Sequence, residues 1–159
     1  MNLTIGAVAH SSFIIERKYP VPPARVFAAF ADPAQKHRWF GVGPGRTVEQ
    51  FTMDFRIGGS DVTRSRLPEG TPFPGVEMVN HTTYLDIVPD SRIVFAYSMT
   101  IGGRCISASL ATVELLEAGL GTDMIFTEQS AFFEGADGPA MRETGWRTLL
   151  ASLAEELSR

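Results

Sequence analysis

The side chains in this sequence best able to do chemistry are a few charged and phenolic groups on runs that alternate like strands. Between Thr122 and Phe132, Glu128 shares a face with Met124 and Phe126. Between Ser60 and Arg66, Arg64 and Arg66 share a face with Val62, so if Val62 belongs to the core both guanidinium groups come with it. A charge facing an apolar interior is costly unless it is paired. An arginine meeting Glu128 would therefore be a structural ion pair or an anchor for an acidic or hydroxylated ligand. The simpler expectation is that a bulge or a strand end leaves these side chains in water. Tyr97 and His81, on two further strand-like runs, complete the groups able to act as acids or bases in a pocket.

The remaining chemistry is sparse. His10, His37 and His81 fall on a tail, a short helix and a strand, with no HxxxH or CxxC spacing, so no metal site is expected. Ser107 and Ser109 have no nucleophile-elbow sequence around them. Cys105 reads as a small, partly buried filler, although Arg104 beside it could lower its thiol pKa. Gly58-Gly59 and Gly102-Gly103 sit between alternating runs and open no helix, which makes them hairpin turns rather than phosphate cradles. The stretch GVGPG from Gly41 to Gly45 lacks the preceding strand and following helix of a dinucleotide loop. No cofactor is expected, and no catalytic residue is assigned.

Composition sets the outer bounds. With 159 residues, 44% apolar and 20% charged, the sequence reads as a single domain over 1–159, residues 1–11 forming an N-terminal tail. A single cysteine excludes an intrachain disulfide and fits a reducing cytosol, so a cytoplasmic protein is expected. A net charge of −4 without a basic patch argues against a nucleic-acid partner. No apolar run approaches the ~20 residues of a membrane span, so no membrane insertion is expected.

These groups need elements to position them. Ser12 to Lys18 reads as a first strand, ended by Pro20, Pro22 and Pro23. Val26, Phe27 and Phe30 then mark one face of a short helix, and Asp32-Pro33 is a cap followed by proline at the start of a second. That second helix, about Ala34 to Arg38, delivers Trp39 and Phe40. From Thr47 to Gln129 the period is two: Phe51, Met53, Phe55 and Ile57 alternate with polar residues, as do Ile93, Phe95, Tyr97, Met99 and Ile101. Pro139 to Leu157 is the one long helical pattern, with Trp146, Leu149, Leu150, Leu153 and Leu157 inward. Arg142, Glu143, Arg147, Glu155 and Glu156 are expected on its outer side, and Gly145 is expected to allow close approach of the sheet. A meander with one apolar face and an amphipathic helix must bury those faces together. Because large twisted sheets curl, the helix is expected to leave a cavity.

The phrases YPVPPARVFAAFADPAQKHRWF, MDFRIGGSDV, YLDIVPDSRIVFAY, TVELLEAGLGTDMIFTEQ and RETGWRTLLASL, in this order over about Phe13 to Leu157, resemble the SRPBCC superfamily. Within it they look most like the branch homologous to activators of the heat-shock-protein-ninety ATPase. The resemblance implies an α+β helix-grip (START-like) fold, also that of birch-pollen allergens. It comprises a curved antiparallel sheet of about seven strands, two short helices after strand 1, and a long C-terminal helix over a hydrophobic cavity. Members bind lipids, polyketides and other apolar molecules, a few are cyclases or hydrolases, and many bacterial single-domain members have no known role. Eukaryotic co-chaperones of the branch carry an additional N-terminal domain, whereas this sequence begins only about a dozen residues before its expected first strand, so a chaperone partner is not expected.

The function expected is binding of a small apolar or amphipathic molecule. Its pocket candidates are Trp39, Phe40, Phe55, Arg64, Arg66, His81, Tyr97, Met99, Glu128 and Trp146. One alternative is a cyclase or hydrolase using Glu128, His81 or Tyr97, with arginine stabilising an enolate-like charge; another is an interaction module acting through the sheet surface. An edge strand, the first or the Ser60 hairpin, could pair in a homodimer.

Overall fold

A computed structural model describes residues 8–41 and 47–159. Strand β1 (Ala9–Tyr19) leads into α1 (Pro23–Ala31) and α2 (Pro33–Phe40). Six strands follow, β2 (Thr47–Met53), β3 (Ser60–Arg66), β4 (Glu77–Val88), β5 (Arg92–Ile101), β6 (Arg104–Ala118) and β7 (Gly121–Phe132), and the chain closes on α3 (Pro139–Leu157). The strands form one antiparallel sheet in the order β1-β7-β6-β5-β4-β3-β2, a meander from β2 to β7 with β1 added beside β7. With the long helix packed on this sheet, the architecture is the α+β helix grip.

Local chemistry explains most of the boundaries. Pro22 and Pro23 stop β1 and start α1, and Pro33 occupies the first turn of α2. Asp32 lies between the helices, closing α1 with its backbone N–H and capping α2 with a carboxylate that accepts from the Ala34 N–H at 3.2 Å. Gly102 and Gly103, at φ of 58° and 80°, make the β5–β6 hairpin turn that non-glycine residues resist. Register shifts at Val48/Gln50, Tyr84/Asp86 and Met99/Thr100 bend the strands where they occur.

Some boundaries differ from expectation. The first strand begins at Ala9, inside the stretch 1–11 expected as a tail, and residues 1–7 of that stretch, like GVGPG beyond Gly41, lie outside the described residues. Strand β2 stops at Met53, which leaves Ile57 in the following turn, 58% exposed, instead of on the buried face. Gly145 is exposed, and a Cβ there would meet nothing within 4 Å, so it is not a point of close approach. Cys105 is exposed rather than filling core.

The core lies between the sheet and the helices. Trp146 on α3 is its hub, its ring 4.3 Å from Phe126 and near Phe40, Phe95 and Tyr97. Leu150 and Leu153 bury the next turns, and the Tyr19 hydroxyl donates to the Leu150 carbonyl at 3.1 Å, tying α3 to β1. Among the described residues no helix is long and apolar enough to cross a membrane.

Candidate functional site

Aromatic packing fills one end of the interior and leaves the other open. Under α2, beside Trp39 and Phe55, only about 10 Å³ remains. Between α3 and strands β3 to β5 lies a cavity of about 400 Å³, within the size range of small-molecule sites. Phe40, Met78, Met99, Leu149 and Trp146 give it apolar walls; Thr63, Ser65, Asn80, Tyr97, Asp137 and Arg142 supply polar atoms. A depression of about 610 Å³ over β1, β6 and β7 is larger, but it is open to solvent and lined by residues such as Ser11, Ser12 and Ala108.

A buried polar network forms the floor. Tyr97 on β5 and Glu128 on β7 are separated by β6, whose inward residues Ser109 and Ala111 are small enough for the two to meet over it. The Tyr97 hydroxyl donates to Glu128 Oε1 at 2.5 Å and accepts from Trp146 Nε1 at 3.0 Å and Arg142 Nη1 at 3.1 Å. Ser130 donates to Glu128 Oε2 at 3.0 Å and lies 2.7 Å from Ser109. Arg142 also reaches Ser107 at 2.7 Å and Ser109 at 3.3 Å, and it grips Asp137 through Nε and Nη2 at 2.9 and 2.8 Å. Arg142 and Trp146 meet one hydroxyl because they stand one helical turn apart.

Electrostatics follow from burial. Glu128 has no exposure, and desolvation raises its pKa, only partly countered by hydrogen bonds from Tyr97 and Ser130 and by the Arg142 charge. Burial, reinforced by the Glu128 charge, raises the Tyr97 pKa, so the phenol stays protonated. For Arg142, burial opposes the charge, but the hydrogen bonds and charge of Asp137 together with Tyr97 outweigh it and hold the guanidinium ionised.

A second buried network closes the filled end. Lys36 on α2 donates to Asp61 at 2.9 Å and to the Tyr84 hydroxyl at 3.0 Å, and Tyr84 donates to Asp61. Desolvation lowers the Lys36 pKa against the pull of Asp61. With about 10 Å³ beside it, this lysine has no room for a guest. Among the described residues no group of three or more His, Cys, Asp and Glu side chains is placed to hold a metal ion.

The structure brings Phe40, Tyr97, Met99 and Trp146 together on the cavity wall, with Glu128 behind Tyr97. Trp39 is core, its Nε1 donating to the Ala29 carbonyl at 2.8 Å, and with Phe55 it borders only the filled end. Arg64, Arg66 and His81 correct the inward placement that alternation left open. On β3 the inward residues are Asp61, Thr63 and Ser65, so Val62, Arg64 and Arg66 face outward; Arg64 bonds Gln50, and Arg66 bonds Glu49. His81 pairs with Val62 across the β3–β4 ladder and is exposed. Among the described residues the buried arginine is Arg142, expected on the outer side of α3, and Glu156, expected there too, is buried and paired with Arg38. A signal for Arg142 existed, since it precedes Trp146 by four residues on the stripe that continues through Leu150, Leu153 and Leu157.

Residues 20–158 match the family described as Activator of Hsp90 ATPase homolog 1-like protein. No curated protein matches the sequence. Among solved structures, protein Mll3558 of Rhizobium loti is 50% identical, with a TM-score of 0.82 over 94% of this chain and 98% of its own. A protein from Rhizobium leguminosarum is 35% identical, with a TM-score of 0.88 over 96% and 97%. CalU16 from Micromonospora echinospora is 25% identical, with a TM-score of 0.60 over 98% and 81%.

Proposed function

The chain belongs to the family of Activator of Hsp90 ATPase homolog 1-like proteins, and from that premise we propose that it binds a small apolar or amphipathic molecule between α3 and the sheet. The observation that carries the reading is the cavity of about 400 Å³, with apolar walls and polar groups at one side. An apolar body would displace water from Met78, Met99, Leu149 and Trp146, gaining ~25 cal/mol for each Å² of apolar surface covered.

Catalysis has less support. The Tyr97 hydroxyl spends its one proton on Glu128 and accepts two further bonds, Glu128 is sealed behind it, and His81 lies outside. Activation of a chaperone ATPase, the activity in the family's description, is the other alternative. It would use the surface, so a variant with an obstructed cavity would keep it.

Native mass spectrometry of protein purified from its own host, with extraction of any retained compound, tests the binding reading. One small molecule of largely apolar structure per chain is expected. No retained molecule, together with no uptake of added apolar probes, would exclude it.

A further inference from the structure

We propose that this cavity selects an uncharged guest, an apolar body bearing a neutral hydrogen-bonding group such as an alcohol, and that Ser65 on β3 receives that group. The inference rests on the binding reading above and concerns only the head of the ligand.

Arg142 has the look of an anchor for an anion, yet it has nothing left to give. A guanidinium carries five N–H donors. Here Nε and one Nη2 proton serve Asp137, the other Nη2 proton serves Ser107, and Nη1 serves Tyr97 and Ser109. Trp146 Nε1 and the Tyr97 hydroxyl are likewise committed. A carboxylate entering here would lose its water, find no free donor on the floor, and sit near Asp137 and Glu128. An ammonium group would meet Asp137 already held through both oxygens by Arg142, whose charge would repel it. Neither ion finds a free opposite charge, and desolvating a charge without one costs far more than desolvating a neutral group.

The unspent hydrogen-bonding capacity on the walls is neutral. Ser65 lines the cavity at 1% exposure, and its Oγ has no partner, the only such buried side-chain atom among the described residues. Asn80 also lines it, and among the described residues its side chain is engaged only through Oδ1, which accepts from Thr82. The two are diagonal neighbours on one face of the β3–β4 ladder, where Ser65 pairs with Met78 and Thr63 with Asn80. An unmade bond at a buried hydroxyl is a cost that the hydroxyl of a guest would remove.

Calorimetric titration with decanol, decanoate and decylamine at matched ionic strength, with naphthalene as the apolar comparator, tests this. Decanol is expected to bind at least about tenfold tighter than either ion. Ser65→Ala should weaken decanol by about three- to tenfold and leave naphthalene unchanged, with urea denaturation showing that the variant is folded. If either ion binds as tightly as decanol, or Ser65→Ala leaves decanol unaffected, the assignment of the head group is overturned while the cavity reading stands. If neither naphthalene nor decanol binds, the cavity reading falls, and this proposal with it.

Discussion

Glu128 is a carboxylate with no access to water, surrounded by a phenol, a serine and a guanidinium, so its protonation is tied to folding. Its pKa is raised in the fold by desolvation. The stability it contributes is therefore full below its unfolded pKa of about 4.3 and is lost as pH rises through the higher folded value. Glu128→Gln should gain stability relative to the native protein as pH rises over that window; urea denaturation at stepped pH measures the difference, and a constant offset would contradict it. Arg142 tests the same network from its other side. Arg142→Met strands Asp137 and Ser107 and removes the positive charge that acts on Glu128, for an expected loss of about 3–5 kcal/mol. Arg147→Ala, which breaks only an exposed i,i+4 pair with Glu143, should cost less than about 0.5 kcal/mol in the same assay. The contrast matters because both arginines lie on one helix and composition treats them alike. Position on the stripe separates them, since Arg142 falls one turn before Trp146 and Arg147 falls beside it.

Among the elements, the α1–α2 junction hangs on Asp32, whose carboxylate takes an otherwise unpaired N–H at the start of α2. Asp32→Ala should lower stability by about 1 kcal/mol in thermal or urea unfolding, whereas Asp32→Asn, another good cap, should lose little. This junction was legible in the sequence because caps and prolines act over three or four residues. Strand β3 was not. Its residues alternate Asp, Thr and Ser with Val and Arg, so neither face is apolar and periodicity alone cannot say which turns inward. Only pairing with β4 decides it, setting Thr63 beside Asn80 and Ser65 beside Met78 on the cavity side. On α3 the apolar stripe was correct, but Arg142 and Glu156, assigned outward for their charge, belong to the buried face, where Asp137 just before the helix neutralises Arg142 and Arg38 on α2 neutralises Glu156.

Across the whole molecule, filled and empty regions are divided by where the aromatics gather. Phe30, Trp39, Phe55, Tyr84 and Phe95 close one end, while the end beside Gly145 keeps its void. Gly145→Ala should stabilise the protein by up to about 1 kcal/mol, since it removes a glycine from a helix at a site with open space around it. Gly145→Leu should keep part of that gain while extending a side chain over the cavity, so urea denaturation would show a protein no less stable and naphthalene titration a weaker binder. Unchanged naphthalene binding by Gly145→Leu would show that a side chain at this position does not obstruct the cavity. Family resemblance implied the helix-grip architecture. Local residue patterns carried the order of strands and helices, the hairpin at Gly102-Gly103, and the helix breaks at proline. Each is written in short-range periodicity and backbone preference, which neighbouring residues settle among themselves. Tertiary structure alone decided that Glu128 would meet Tyr97 over β6, that Arg142 would exhaust its donors on five acceptors, and how much space would remain. Those outcomes depend on distant side chains competing for one volume, and neither unfilled space nor hydrogen-bond saturation is a property of any single segment.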